Sequence, residues 1–260
     1  MITATKQKST PVKNPTPKIE FNEENHEYFI QKNGQKIQVP GTTTITGVID
    51  KSAPLMWWAV NCARDYILDH LEPGEPLDEL EIEQLAKNAR LAHRNASDKA
   101  KNLGTLVHEW IEAYIKAQLN GGPEPEWPVN EAAHEPIIEF LDWEERSEVV
   151  WGSSEVLVYN NDAKYAGTFD ALAKVNGQIT IIDFKTASGI YGTHKMQTAA
   201  YLKAEENYRR RLIDGFIVLR IPKDATEFET YSCFNRQEIE EHFEGFKGAR
   251  EVLRWQMRHD

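Results

Sequence analysis

Between residues 154 and 185 the chain reads as three strands joined by tight connections, and this stretch limits what the rest can become. Ser154-Glu155-Val156-Leu157-Val158-Tyr159 alternates in polarity, Tyr165 to Val175 is a second strand-like run, and Ile179-Thr180-Ile181-Ile182 is an unbroken apolar third. Such patterns mark half-buried and fully buried strands. Gly177 supplies the turn that makes the second and third a hairpin. The hairpin brings Asp170 and Asp183 onto neighbouring strands, where their carboxylates converge. A carboxylate closing a buried strand is costly to desolvate unless it is paired or metal-bound.

An Asp-x-Lys triplet alone carries little information, and the chain has two. Asp162-Ala163-Lys164 follows Asn160-Asn161 and reads as a turn, whereas Asp183-Phe184-Lys185 closes the third strand. A polar connection, Thr186-Ala187-Ser188-Gly189, leads into a helical segment from about Tyr191 to Arg209, on which Gln197 and Tyr201 share a face. Upstream, Leu103, Leu106, Val107, Trp110, Ile111, Tyr114 and Ile115 make a helical core stripe with His108 at its edge. Hard oxygen donors, one imidazole and one ammonium suit a metal-dependent phosphodiesterase. Without further context, a capping aspartate and a core or surface histidine are the commoner readings, and simple helix packing explains the Gln197–Tyr201 pair equally well.

The ordered set Gly104-Thr105-Leu106-Val107-His108-Glu109, Glu155, Gly167 to Asp170, Asp183-Phe184-Lys185 and Gln197-x-x-x-Tyr201 resembles the RecB-like branch of the PD-(D/E)xK nuclease superfamily, over roughly residues 98 to 220. The segment Pro40 to Gly47 with Leu55-Met56-Trp57-Trp58-Ala59 is similar to the amino-terminal region of phage exonucleases and, in plan, to mitochondrial genome maintenance exonucleases. The resemblance implies an α/β (α+β) fold with a restriction-endonuclease-like core, a central mixed sheet flanked by helices, elaborated by an N-terminal β-hairpin and helices. It implies Mg²⁺ or Mn²⁺ held by Asp170, Asp183, the backbone carbonyl of Phe184 and His108, whose nitrogen suits Mn²⁺. One or two ions would be held; Lys185 would orient the attacking water or steady the transition state, and Glu155, in the catalytic set, would tune a second metal or hold a helix amide. Gln197 and Tyr201 would contact DNA or brace Lys185. Trp57, Trp58 and Tyr66 are candidates to stack on the bases of a single strand, and Lys195 and Arg209 to hold phosphates. The implied activity is hydrolysis of DNA phosphodiesters in replication, recombination or repair, by an exonuclease rather than an endonuclease. A recombination or single-strand-binding protein is a conceivable partner. The alternative is a DNA-end-binding or recombination scaffold of the same fold without cleavage; the complete Asp170, Asp183 and Lys185 set argues against it.

Composition narrows the remaining classes. Two cysteines, Cys62 and Cys233, cannot supply the four thiolates of an iron–sulfur cluster, so none is expected. No apolar run approaches a membrane span and no apolar leader opens the sequence, so the expectation is a cytoplasmic protein, in the host cytoplasm if phage-encoded. The net charge of −11 is awkward for a DNA enzyme. Residues 1 to 18 hold four lysines and no acid, which leaves −15 on the rest. Local patterning matters more to a phosphate than the total. Lys87, Arg90, Arg94 and Lys101 fall on one face if their helix is continuous, and Arg209-Arg210-Arg211 is a second basic cluster.

Three segments are expected: a flexible basic tail over 1–17, a hairpin and helical cap over 18–97, and a nuclease core with a closing helix over 98–260. In the cap, Ile19 to Ile30 reads as one strand returning through Asn33-Gly34 to Lys36–Val39, and β-branched Thr42 to Ile49 extends that sheet. Helices are expected over Ala53 to Leu71, Leu77 to about Arg94, onward to about Leu119, and Glu131 to Glu145. A strand over Gly215 to Ile221, another over Glu227 to Phe234 and a helix over Arg236 to Met257 complete the reading.

Overall fold

A computed structural model describes residues 17–72, 74–221 and 228–259. The tail expected over residues 1–17 therefore falls outside the described residues apart from Pro17, as does Glu227 of the last expected strand. The elements form the α+β architecture anticipated from the sequence: a three-stranded sheet, a five-stranded mixed sheet and flanking helices.

The small sheet is an antiparallel meander of β1 (Lys18–Asn22), β2 (Glu27–Lys32) and β3 (Gln35–Val39). The β2–β3 turn is Asn33-Gly34, both with positive φ, as a two-residue hairpin turn requires. The run read as one strand is broken at Glu23–His26. The Asn22 carboxamide accepts from the Glu24 amide and His26 takes φ 53°, so an Asx-type turn adds a third strand.

Thr42–Thr46 is a short helix, α1, and not a strand extension. Ile45 is fully buried in the core shared with the C-terminal helices, and the Thr46 hydroxyl returns to the carbonyls of Thr42 and Thr43. Tertiary burial thus overrides β-branched propensity. Helix α2 (Ser52–His70) packs along α3 (Glu79–Asn120), which opens with a reciprocal capping box between Asp78 and Glu81. The two helices expected here are one. Asn95, Ser97 and Asp98 are cap formers, but no glycine or proline interrupts residues 79 to 103, and the helix runs for about 63 Å at its ordinary rise. Its second half, from Leu103 to Ile115, is buried; its first half stands largely exposed beside α2, where no residue is fully buried. Among the described residues no helix is long and apolar enough to cross a membrane.

The main sheet runs β4 (Val150–Asn160), β5 (Tyr165–Val175), β6 (Gln178–Lys185), β7 (Gly215–Arg220), β8 (Glu229–Cys233) in spatial order. The first three form an antiparallel meander; helix α5 (Gly192–Arg209) carries the chain over so that β7 pairs parallel to β6, and β8 returns antiparallel. The sheet carries a core on each face. One packs Ile45, Phe169, Leu202 and Phe216 against α6 (Arg236–His259) through Phe246; the other packs Ile182, Phe184 and Leu219 against α3 and α4 (His134–Arg146) through Ile111 and Phe140.

The β5–β6 ladder runs from Val175↔Gln178 to Ala171↔Ile182 and ends there. Beyond it β5 continues against β4 and β6 continues against β7 as far as Lys185↔Arg220. The two strands part immediately before Asp170 and Asp183. At the same level the small sheet and α1 dock on β5: Gly41 bridges Ala166, the Tyr28 hydroxyl lies 3.2 Å from Thr168 Oγ1, and Gly167 lies against Tyr201. A Cβ on Gly167 would come within 2.5 Å of the Tyr201 ring and 3.0 Å of Thr42.

Gly167→Ala is accordingly expected to destabilise the protein by about 1–3 kcal/mol, the range for overpacking a filled core. Ile45→Ala should cost about 2–5 kcal/mol, as for other buried isoleucines. Urea unfolding at constant m-value measures both; a negligible effect of Ile45→Ala would mean that α1 is not part of the core.

Candidate metal and phosphodiester site

Where β5 and β6 diverge, backbone groups lose ladder partners and must find others. The Phe184 N–H donates to Asp170 Oδ2 at 2.6 Å. The same oxygen lies 3.4 Å from His108 Nε2, presented by the buried half of α3. Asp183, 2 % exposed, points instead to Lys185 Nζ at 2.6 Å and to the Thr198 hydroxyl of α5 at 3.2 Å. The two aspartates, His108 and Lys185 thus meet at one end of the sheet, each carboxylate facing a cationic partner. The Phe184 ring packs edge-on to His108 and Phe140, and Arg220 Nε holds the following loop through the Ala187 carbonyl.

The charges in this cluster set one another. Burial works against a charged His108, but the Asp170 carboxylate outweighs it and lifts the imidazole to about 9. Burial raises Asp170, yet His108, Lys185 and the Phe184 amide hold it below the ordinary carboxylate range. Asp183 is raised, by burial and by the charge of Asp170, with Lys185 opposing. Lys185 remains firmly charged: desolvation is overcome by Asp183 and Asp170. Nearby His194 is pushed down to about 4, first by burial and then by Lys185 and Lys51, so it is neutral at physiological pH.

Glu155 sits between the β4–β5 pairs Ser154↔Ala171 and Val156↔Phe169, opposite Asp170 in register, with a left-handed φ of 50°. Such a conformation is uncommon for a non-glycine residue and aims the side chain away from a regular ladder. Partial desolvation, then the charges of Asp170 and Glu112, push its carboxyl up to about 7. Glu155 therefore belongs to the acidic end of the same cluster.

The remaining expected site residues are placed differently. Gln197 and Tyr201 are buried on α5: the Gln197 amide donates to the Tyr201 hydroxyl at 2.8 Å and to Thr43 Oγ1 at 3.2 Å, bracing α5 against α1. Lys195 sits over the Tyr231 ring, 3.7 Å from its centroid, toward the β8 edge of the sheet. Trp57 is 70 % exposed on α2, while its neighbour Trp58 faces α3 and packs edge-on to His93. Tyr66 stacks on His70 within α2. Arg209 and Arg211 both turn back to Glu205, a fully buried carboxylate, so this basic cluster is largely internal charge balance.

A groove of about 820 Å³ opens beside His108. Its walls come from Leu55 and Trp58 of α2, Lys101, Gly104 and Thr105 of α3, and Thr186, Ser188 and Tyr191 beyond β6. Because α3 is continuous, residues 87, 90, 94, 101 and 108, separated by three, four, seven and seven, share one face. The exposed basic stripe therefore leads along the helix to His108. Sequence reasoning missed Thr198, His194 and Tyr191. Thr198 and His194 are four apart on α5, a spacing that could have flagged them; Tyr191 carried no signal beyond being aromatic.

No family model and no curated protein matches this sequence. Among solved structures it is similar to the crystal structure of SSO0001, at 15 % identity and a TM-score of 0.31 over 74 % of this chain and 84 % of that one. It is also similar to an alkaline exonuclease, LHK-Exo, from Laribacter hongkongensis, at 13 % identity and a TM-score of 0.27 over 57 % of this chain and 82 % of that one. Likeness at that level carries no functional inference, so the chemistry rests on the side chains themselves.

In kind, the donors fit a divalent cation: two carboxylates, one of them raised by the charge of the other, and an imidazole at the open end of a sheet. They are not drawn tightly together. Among the described residues, the three potential donors that lie within 4.8 Å of one another are Cys233, Glu238 and His242, at another edge of the sheet.

Removing the charge of Asp170 should reverse the shift of His108. In metal-free Asp170→Asn, burial and Lys185 remain and oppose only the weaker pull of Glu155, so the imidazole should titrate below the ordinary value of 6.5 instead of near 9. Histidine NMR titration reads this directly; an unchanged value would show that another group holds the proton.

Proposed function

We propose that this protein is a metal-dependent deoxyribonuclease that hydrolyses phosphodiester bonds, acting from DNA ends. The observation that carries this reading is the convergence of Asp170, Asp183 and Lys185 where β5 and β6 part, with His108 facing Asp170 from α3. Asp170, Asp183, His108 and the Phe184 carbonyl are the groups that would hold Mg²⁺ or Mn²⁺. A divalent cation in such a set supplies Lewis acidity, lowering the pKa of water and neutralising charge that builds on the phosphate.

The side chains divide the remaining work. Lys185 is a held ammonium, kept charged by two carboxylates, and it stabilises negative charge on the phosphoryl oxygens. Thr198 keeps Asp183 oriented from behind. Glu155, with a carboxyl that titrates near neutrality, is suited to take or give a proton at its carboxylate oxygen. His108 must release its Nε2 proton before that nitrogen can act as a ligand, so cation affinity rises with pH.

The groove beside His108 suits a nucleic acid strand. Trp58 and Tyr191 offer flat faces for bases, and Lys101 with Arg94, Arg90 and Lys87 offers charge to phosphates. This local stripe reconciles a polyanionic substrate with a net charge of −11. Gln197 and Tyr201 act from beneath as a brace of α5 against α1.

End-labelled linear DNA, single- and double-stranded, and a covalently closed circle should be incubated with Mg²⁺, Mn²⁺ or chelator. Loss of linear DNA only, requiring metal and reduced at least about 10²–10³-fold in Lys185→Ala, is the expected result. Cutting of the circle would make the enzyme an endonuclease; DNA binding with no cleavage under any condition would overturn the catalytic reading in favour of a scaffold. Trp58→Ala should weaken strand binding by about 1–3 kcal/mol, the usual worth of one stacked base, and Trp57→Ala by much less. Fluorescence anisotropy with a labelled oligonucleotide separates the two.

A further inference from the structure

At the edge of the main sheet farthest from β4, a second cluster of ligating side chains has no part in the site described above. Cys233 is the last residue of β8 and is buried. Two residues later the Asn235 carboxamide caps α6, accepting from the amides of Gln237 and Glu238. Glu238 and His242 follow at i and i+4 on the face of α6 that looks back at the strand. The sulfur, a carboxylate oxygen and an imidazole nitrogen all lie within 4.8 Å of one another. Glu238 Oε1 and His242 Nε2 are 3.8 Å apart. Tyr231, on the same strand face as Cys233, places its hydroxyl 2.5 Å from Glu238 Oε1 and 2.7 Å from His242 Nε2.

We propose that Cys233, Glu238 and His242 form a zinc site, with the Tyr231 oxygen as the fourth donor. The thiolate, together with an imidazole and a carboxylate, selects zinc over the Mg²⁺ or Mn²⁺ proposed for the catalytic end, where no sulfur donor is present. Tetrahedral zinc, with bonds of about 2.0–2.3 Å, sets donor–donor edges of about 3.3–3.8 Å. The Glu238–His242 separation of 3.8 Å already meets that, and no separation among the three exceeds it by more than about 1 Å. The Tyr231 oxygen lies between two of the ligands, hydrogen-bonded at 2.5 and 2.7 Å, and has to draw back by about 1 Å from each as it exchanges those hydrogen bonds for the ion. Binding releases the Cys233 thiol proton to solvent, uses the tautomer of His242 that leaves Nε2 free, keeps the Tyr231 hydroxyl protonated as a neutral donor, and involves no redox change. The ion would tie β8, an edge strand of five residues, to α6 across a two-residue connection. Its role is structural, and it acts apart from Asp170 and Asp183.

The test uses the full chain purified without chelator. Metal analysis should find one zinc per chain, retained after gel filtration. Replacing zinc with Co²⁺ should give the near-ultraviolet thiolate-to-cobalt charge-transfer band and the visible bands of a tetrahedral site. Both should disappear in Cys233→Ser and His242→Ala and persist in Asp170→Ala. If Cys233→Ser does not fold, His242→Gln, which keeps a hydrogen-bonding side chain toward Tyr231, should fold and lose the zinc. Three results would each overturn the proposal: a folded wild-type chain that takes up no zinc from micromolar excess, a charge-transfer band that survives Cys233→Ser and so belongs to Cys62, or stoichiometric zinc in folded His242→Gln. Nuclease activity in Mg²⁺ is not the readout, so failure here leaves the reading of the catalytic end untouched.

Discussion

The bond from the Phe184 amide to Asp170 Oδ2 is the interaction on which the site depends. Two strands of a hairpin separate after Ala171↔Ile182, while β5 stays paired to β4 and β6 to parallel β7 along their other edges. The separation would leave a buried N–H without a partner, a cost comparable to a lost hydrogen bond. The Asp170 side chain fills that place, and in doing so is held at the mouth of the cleft facing His108. One backbone requirement thus orients the carboxylate that faces His108.

Charge balance supports this geometry. Two carboxylates at the end of a buried sheet are tolerable because Lys185 and a protonated His108 face them, leaving the cluster near neutrality without an ion. Behind it, Thr198 and the Gln197–Tyr201–Thr43 contacts lock α5 and α1 together, and Gly167 lets Tyr201 approach β5. These residues never need to touch a substrate to matter. They determine where Asp183 and Lys185 point, and a site loosened by a fraction of an ångström loses much of its effect.

The basic residues divide in an instructive way. Arg209 and Arg211 look from the sequence like a phosphate-binding patch but fold back onto buried Glu205, where an unpaired carboxylate would be far more costly than two tethered arginines. Lys87, Arg90, Arg94 and Lys101 stay exposed, and the continuity of α3 aligns them with His108. The overall acidity is thus compatible with an anion-binding face, because the field near the groove is set by its own side chains.

The three strands, the Asn33-Gly34 and Gly177 turns, the core stripe of α3 and the Asp170–Asp183–Lys185 grouping were legible in the sequence alone, because period, turn chemistry and the cost of a buried carboxylate are local matters. The sequence could not decide what depends on distant packing. Thr42–Thr46 is a helix because Ile45 has a core to fill, against its β-branched composition. Gln197, Tyr201 and Lys195 turn inward or toward the far edge, and Trp58 rather than Trp57 lines the groove, because adjacent residues on a helix lie about 100° apart and only the position of α3 selects between them. The meeting of Cys233 with Glu238 and His242 is likewise tertiary: their spacing is short, but the fold of β8 against α6 is what turns three ordinary side chains toward one point.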